Sequence, residues 1–189
     1  MLDDWLAALV TTPGLTAISD ADAARRMLLE DSLRGVDVVS RFDGSVVDVG
    51  SGGGVPGIPL AASLPDREVT LLEANARKCD FLRTWVPPNA RVVQGRAEEQ
   101  EPDVYGAAVA KALAPPEVAA EWCLPLVRPG GAAILWVGSS ADASRVARVA
   151  EQLAGELEKE DGFFVLRKVA PTPAGFPRRV GVARKRPLA

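Results

Sequence analysis

Histidine is absent from all 189 residues. That removes histidine-based zinc sites and any imidazole general base, and no metal is expected. Cysteine is scarce. Cys79 and Cys123 are the whole supply, too few for a disulfide framework and in keeping with a reducing cytoplasm. There is no run of eighteen apolar residues and no basic-apolar leader, so neither a membrane span nor a secretory signal is expected. Nor does any linker, repeat or low-complexity tract divide the chain. Its length suits one domain, burying about 70% of the surface exposed by the unfolded chain. A last absence concerns charge. From Arg167 to Ala189 there are seven basic residues and no acid. The remaining 15 basic and 25 acidic residues give the rest a balance of −10, inside a net charge of −3. A basic end on an acidic body predicts contact with a polyanion, or else a solvated edge strand guarded by lysine and arginine.

What is present centres on Val46-Val47-Asp48-Val49-Gly50-Ser51-Gly52-Gly53-Gly54-Val55-Pro56-Gly57-Ile58-Pro59. The first four residues read as a buried parallel strand, and a new apolar segment follows the glycines. Strand, glycine turn and helix form the first unit of a nucleotide-binding α/β fold. Glycine suits a turn whose backbone angles a Cβ forbids and whose backbone must approach a ligand. The spacing Asp-x-Gly-x-Gly-x-Gly is carried by Asp48, Gly50, Gly52 and Gly54. Gly53 and Gly57 blur the register against a dinucleotide fingerprint. Asp48 decides better. It repels a pyrophosphate and attracts an ammonium and a sulfonium group, which points to S-adenosylmethionine.

Around this stretch the pattern alternates. Two helices, Leu2 to Val10 and one capped by Ser19 or Asp20 that runs to about Arg34, form a preface over residues 1–40. In the core, residues 45–189, the expected strands are Ser45–Val49, Glu68–Glu73, Arg91–Gln94, Tyr105–Ala110 and Ala132–Val137. Helices are expected at about Val55–Ser63, Asn75–Trp85, Pro115–Leu126 and Ala143–Leu157. Gly162–Lys168 and Arg179–Arg184 are expected to close the sheet as a hairpin with one antiparallel strand. This is a seven-stranded, mostly parallel sheet flanked by helices, with ligand at the carboxyl ends of the strands.

Several residues are placed to act on that ligand. Glu73 ends strand 2 and can accept hydrogen bonds from both ribose hydroxyls; its alternative is an acid at a helix N-terminus. Ala97-Glu98 follows strand 3, where a backbone amide and a carboxylate can read an adenine edge, unless this is a plain acidic turn. Lys111 ends strand 4, where it can position substrate or simply reach solvent. Ala114-Pro115-Pro116-Glu117 lacks the Asn/Asp-Pro-Pro-aromatic tetrad common in methylation of exocyclic amines. Cys123 falls on a predicted helix, as does Cys79, and both read as core residues rather than nucleophiles. One candidate chemistry needs no strong base: attack on the sulfonium methyl by a ring nitrogen lone pair such as guanine N7, which carries no proton to remove. Alignment and removal of water are then the whole task.

With these motifs in view, the chain resembles the 16S ribosomal RNA guanine-N7 methyltransferase G family, also called glucose-inhibited division protein B. The likeness rests on Leu15-Thr-Ala-Ile18, Asp31-Ser-Leu33, the Asp48-to-Leu60 stretch and the Arg77-Lys78…Phe81-Leu82 helix. It continues through Gly95-Arg-Ala-Glu98, Pro125-Leu-Val…Gly130-Gly131, and Phe176-Pro-Arg-Arg-Val-Gly181 with Lys185-Arg-Pro-Leu188. The resemblance implies a class I, Rossmann-like methyltransferase fold. It implies methyl transfer from S-adenosylmethionine to N7 of one guanine in the decoding-centre loop of small-subunit rRNA. It also implies cofactor contacts at Gly50, Val55, Ala97, Glu98 and the position of Lys111, where members commonly carry arginine. Departures are Gly14 before Leu-Thr-Ala-Ile, Arg25-Arg26 without a histidine, and Val137-Gly138 where a Lys-Gly pair is frequent. Phosphate contacts are expected from Arg25, Arg26, Arg178, Arg179, Arg184, Lys185 and Arg186. A monomer acting on 16S rRNA in the small ribosomal subunit is expected. A small-molecule methyltransferase and a non-catalytic ribosome-binding module that retains the cofactor site stay open as alternatives.

Overall fold

The computed structural model describes residues 1–189. Its centre is a seven-stranded sheet in the order β3-β2-β1-β4-β5-β7-β6. β1 (Val46–Val49), β2 (Val69–Glu73), β3 (Ala90–Gln94), β4 (Tyr105–Lys111) and β5 (Val127–Trp136) run parallel. β7 (Phe163–Lys168) pairs antiparallel with both β5 and β6 (Gly155–Glu160). This is the expected doubly wound, mostly parallel architecture.

β1 shows how the sequence builds it. All four of its residues are buried, yet they serve opposite faces. Val46 joins the apolar cluster that includes Trp5, Leu9, Ile58 and Leu60. Val47 and Val49 join the cluster that includes Cys123, Leu124 and Val146. The period of two therefore feeds two cores, one on each side of the sheet. Burying a side chain such as Ile58 or Leu124, both at 0% exposure, is worth about 1.5–3 kcal/mol. The first core lies under α1 (Leu2–Thr11) and α5 (Gly57–Ser63); the second lies under α7 (Pro116–Cys123) and α8 (Ala143–Gln152). α6 (Ala76–Trp85) connects β2 to β3, and the Asn75 side chain caps it by accepting from Lys78 N at 3.3 Å.

The amino-terminal helices are more broken than the periodicity predicts. Asp20 caps α2 (Ala21–Ala24) by accepting from Ala23 N at 2.8 Å. The chain then widens into a π-helical turn over Arg25–Glu30 and returns through α3 (Asp31–Leu33) to α4 (Val36–Ser40).

Two expected elements are corrected. The helix read as Ala143–Leu157 stops at Gln152, because Ala154 turns the chain at φ +57 and Glu156, Leu157 and Glu158 go into β6. Glu, Leu and Lys favour helix, but pairing with β7 wins, and the charges guard a sheet edge. The second strand of the closing hairpin is thus β6, joined to β7 through Asp161-Gly162, a two-residue connection that the sequence marks with a turn dipeptide. Arg179–Arg184 is therefore not a strand. Gly181 adopts φ +79 there and begins the short α9 (Val182–Lys185), which packs beside α7.

Candidate functional site

At the carboxyl end of β1 the chain turns through Gly50 and Gly52, at φ +71 and φ +57, angles that glycine adopts without strain. A Cβ on Gly50 would stand 2.2 Å from Leu113 Cδ1. The loop is tied from two sides. Glu73 Oε2 accepts from Gly52 N at 2.9 Å, while its Oε1 accepts from Asn75 N at 2.8 Å. From the preface, Trp5 Nε1 donates to Gly53 O at 2.9 Å in a buried bond.

Two cavities adjoin at this loop. The first, about 330 Å³, is lined by Gly50, Glu73, Ala97, Glu98, Trp122 and Arg184 among others. The second, about 370 Å³, lies between Gly52 and Val55 of the loop and Leu15 and Met27 of the preface, with Lys111 also lining it. Gly50, Lys78 and Ala112 border both. The first cavity fits an adenosyl group. Each oxygen of Glu73 has accepted only one backbone N–H and keeps a lone pair for a ribose hydroxyl. Ala97 lies at 6% exposure on the same wall. Glu98 borders the cavity but accepts from Gly181 N at 3.1 Å, so the carboxyl-terminal segment closes over this end.

Asp48 is placed differently from the expectation. It lies on the face of β1 that meets α5, wholly buried behind the loop, and lines neither cavity. Its Oδ2 accepts from Gly57 N at 3.1 Å and its Oδ1 has no partner. Burial pushes its carboxyl up to about 7. A Cβ on Gly57 would come within 2.5 Å of that oxygen, so the Asp48–Gly57 contact joins strand to helix. Gly54 likewise lines neither cavity, and its N–H donates to Ser51 O at 2.7 Å inside the turn. Both act on the loop rather than on a ligand.

Lys111 ends β4 as expected and lines the second cavity, and its Nζ meets Asp31 Oδ2 at 2.5 Å. Asp31 is held in turn: Arg34 Nη1 donates to its Oδ1 at 3.0 Å and Trp136 Nε1 to its backbone oxygen at 2.9 Å. Arg34 also donates to Asp161 O at 3.0 Å across the hairpin turn. After Lys111 comes Ala112 at φ +53, a left-handed conformation that a non-glycine residue holds only under constraint.

The basic residues divide into two groups. Arg26, Arg179, Lys185 and Arg186 are exposed, and their side chains form no ion pair. Arg25 is tied to Asp3. Arg184 lies with its guanidinium 5.1 Å above the Trp122 ring, at the rim of the first cavity. Arg178 forks onto Glu121, with Nε–Oε1 at 2.5 Å and Nη2–Oε2 at 2.6 Å, and reaches Arg186 O at 2.9 Å. The Glu121 side chain is only 3% exposed. Arg178 is therefore a clasp for the carboxyl-terminal segment rather than a phosphate contact. Cys79 and Cys123 are buried and their thiols are pushed up by that burial.

Four residues escaped the sequence reading. Trp5 reads as core, yet its indole anchors the glycine loop 48 residues away. Trp122 and Lys78 border the cavities, but a helix-period pattern shows only that a residue shares a face. Asp31 stands in a motif, Asp-Ser-Leu, whose partner Lys111 lies 80 residues on.

Comparison with known proteins follows the same lines. The family model described as GidB, rRNA small subunit methyltransferase G, matches residues 3–163. The ribosomal RNA small subunit methyltransferase G of Synechococcus sp. (strain JA-3-3Ab) is 36% identical over 205 residues, covering 94% of this chain and 79% of that protein. The protein of that name from Rubrobacter xylanophilus is 40% identical over 174 residues, covering 78% and 66%. Among solved structures, a T. thermophilus 16S rRNA N2 methyltransferase (RsmC) in complex with AdoMet and guanosine superposes with a TM-score of 0.56 at 18% identity, over 77% of this chain and 40% of that one. A precorrin-6y C5,15-methyltransferase from Geobacter metallireducens gives a TM-score of 0.55 at 14% identity, over 82% and 90%. At those identities the structural likeness shows the fold.

Proposed function

Since this chain belongs to the rRNA small subunit methyltransferase G family, we propose that it transfers a methyl group from S-adenosylmethionine to N7 of a guanine in the decoding-centre loop of 16S rRNA. The observation that carries the reading is the paired cleft at the carboxyl ends of β1 and β4. An acid with free lone pairs, Glu73, lines its first cavity, and a lysine held by an aspartate borders its second.

Bound S-adenosylmethionine supplies an electrophilic methyl on a sulfonium. Glu73 holds the ribose hydroxyls, Ala97 and Glu98 border the adenine, and the backbone of Gly50, Gly52 and Val55 accommodates the methionyl arm. Ala112 lies at the junction of the cavities, where the target base meets the methyl, and Lys111 lies beside it in the second cavity. N7 brings an unprotonated lone pair, so a chain without histidine lacks nothing for this step. Its lone pair forms the new N–C bond while the C–S electrons return to sulfur. Orientation and exclusion of water supply the rate. Arg26, Arg179, Lys185 and Arg186 hold phosphates and set register without reading sequence. The protein acts as a cytoplasmic monomer on the small ribosomal subunit and uses no metal.

The test is methyl transfer from labelled S-adenosylmethionine to small subunits that lack the modification, with the product nucleoside identified. The expected product is 7-methylguanosine at a single rRNA position. Label in a different nucleoside removes the N7 reading, and no label in RNA removes the enzymatic one.

A further inference from the structure

Lys111 and Asp31 are unlike the other ion pairs of this protein. Most are surface contacts such as Arg83–Asp80, with side chains 50% and 73% exposed. Arg178–Glu121 and Lys168–Asp103 instead each carry one side chain at 3% exposure or less. The Lys111 and Asp31 side chains are 17% and 27% exposed, shielded from bulk water yet open to the cleft. Their orientation is over-determined by Arg34 Nη1, by Trp136 Nε1 and by the π-helical turn that ends at Glu30 and brings Asp31 round. A mere tie does not need that many supports, whereas a recognition element does. Neither group is saturated. An ammonium has three N–H donors and a carboxylate accepts roughly four hydrogen bonds. Here Lys111 has given one and Asp31 side-chain oxygens have taken two.

The order of groups along the cleft is also specific. Ala112 borders both loop cavities, Lys111 lines the second but not the first, and Asp31 lines neither but shares a further cleft with Ala112 and Lys111. This order runs strained backbone at the methyl-transfer position, then donor, then acceptor. Guanine presents along one edge N7, then O6, an acceptor, then N1–H and N2–H, two donors. With N7 at Ala112, O6 meets the Lys111 ammonium and N1–H with N2–H meets the Asp31 carboxylate. Adenine offers a donor at the first position and an acceptor at the second, and is mismatched at both.

We propose that the Lys111–Asp31 pair reads the target guanine, Lys111 donating to O6 and Asp31 accepting from N1–H and N2–H; this rests on the guanine-N7 reading above. The interaction strengthens as the reaction proceeds. Positive charge leaves sulfur and spreads over the purine as the N7–C bond forms, which makes N1–H more acidic and the Asp31 bond tighter. Binding of that kind acts on turnover and not only on affinity.

The experiment uses small subunits reconstituted with inosine in place of the target guanine. Inosine keeps N7, O6 and N1–H but lacks the N2 amine. Wild-type enzyme and Asp31→Asn are compared on both substrates, with S-adenosylmethionine affinity and Tm as controls. Losing one hydrogen bond to a charged acceptor is worth about tenfold or more. Wild type is therefore expected to favour guanine over inosine by at least about tenfold in kcat/KM, and Asp31→Asn to favour it by less than about threefold, with cofactor affinity unchanged. A structural role moves Tm but not this ratio. A ratio kept in full by Asp31→Asn overturns the proposal, as does a wild type that uses both substrates equally. Should Asp31→Asn be too slow to follow, the wild-type ratio alone decides, and Asp31→Glu, which keeps the carboxylate, is expected to restore part of the turnover. Absence of 7-methylguanosine from the wild-type reaction on guanine is a separate result, and it removes the functional reading itself.

Discussion

Glu73 and Asp48 are two acids near one glycine loop, and their surroundings separate their roles. Glu73 faces the cavity with both oxygens singly bonded to backbone N–H groups. Glu73→Gln keeps the shape and removes the charge, so the affinity for S-adenosylmethionine should fall about tenfold to a hundredfold by calorimetry. A change under about twofold would take Glu73 out of the ribose site. Asp48 acts on the fold instead. Its carboxyl rises from 3.8 to about 7 because burial disfavours the charge. Folding then takes up a proton between those values. The stability this group contributes is full below about pH 4 and is lost as pH rises to about 7. Asp48→Asn should remove that dependence. Denaturant unfolding at about pH 5 and about pH 8 should show wild type losing stability with rising pH and the variant losing less. Both acids were legible as residues. Both were read as ligand contacts, but only Glu73 lines the cavity, because it ends its strand whereas Asp48 sits one pleat back.

At the scale of elements, the parallel strands and their helices could be read because apolar runs alternate with glycine and proline breaks. The carboxyl-terminal third was harder. Glu156-Leu157-Glu158-Lys159-Glu160 has helical composition, and its strand state is decided by Phe163–Lys168 alongside, a partner that local pattern does not weigh. The π-helical turn over Arg25–Glu30 left no local mark either. α1 matters beyond its own packing, because Trp5 reaches Gly53 O. Trp5→Phe keeps most of the buried ring and orphans that carbonyl. It should cost about 1–2 kcal/mol in unfolding free energy and weaken cofactor binding as the loop loosens. Unchanged cofactor affinity with lowered stability would limit α1 to a structural role.

At the scale of the whole molecule, charge and chain order both matter. The sequence marked the carboxyl-terminal residues as basic but did not show which are committed. Arg178 is spent on Glu121, while Arg179, Lys185 and Arg186 are exposed. Replacing those three with glutamine should make the salt dependence of small-subunit binding shallower by about two to three units of log–log slope. Arg178→Gln should chiefly lower Tm, and the reverse pattern would reassign the segment. Chain order has its own consequence. Asp31 is bonded by Trp136 across 105 positions, and Arg34 meets Asp161 across 127. As the chain emerges during synthesis, Asp31 and Arg34 must therefore wait for β5 and for the turn between β6 and β7. The glycine loop and its first strands have local partners and can set early. Asp31 and Lys111 are both made before β5, yet Trp136 and the Arg34–Asp161 contact that steady Asp31 come only later, so the pair is synthesised well before it is aimed.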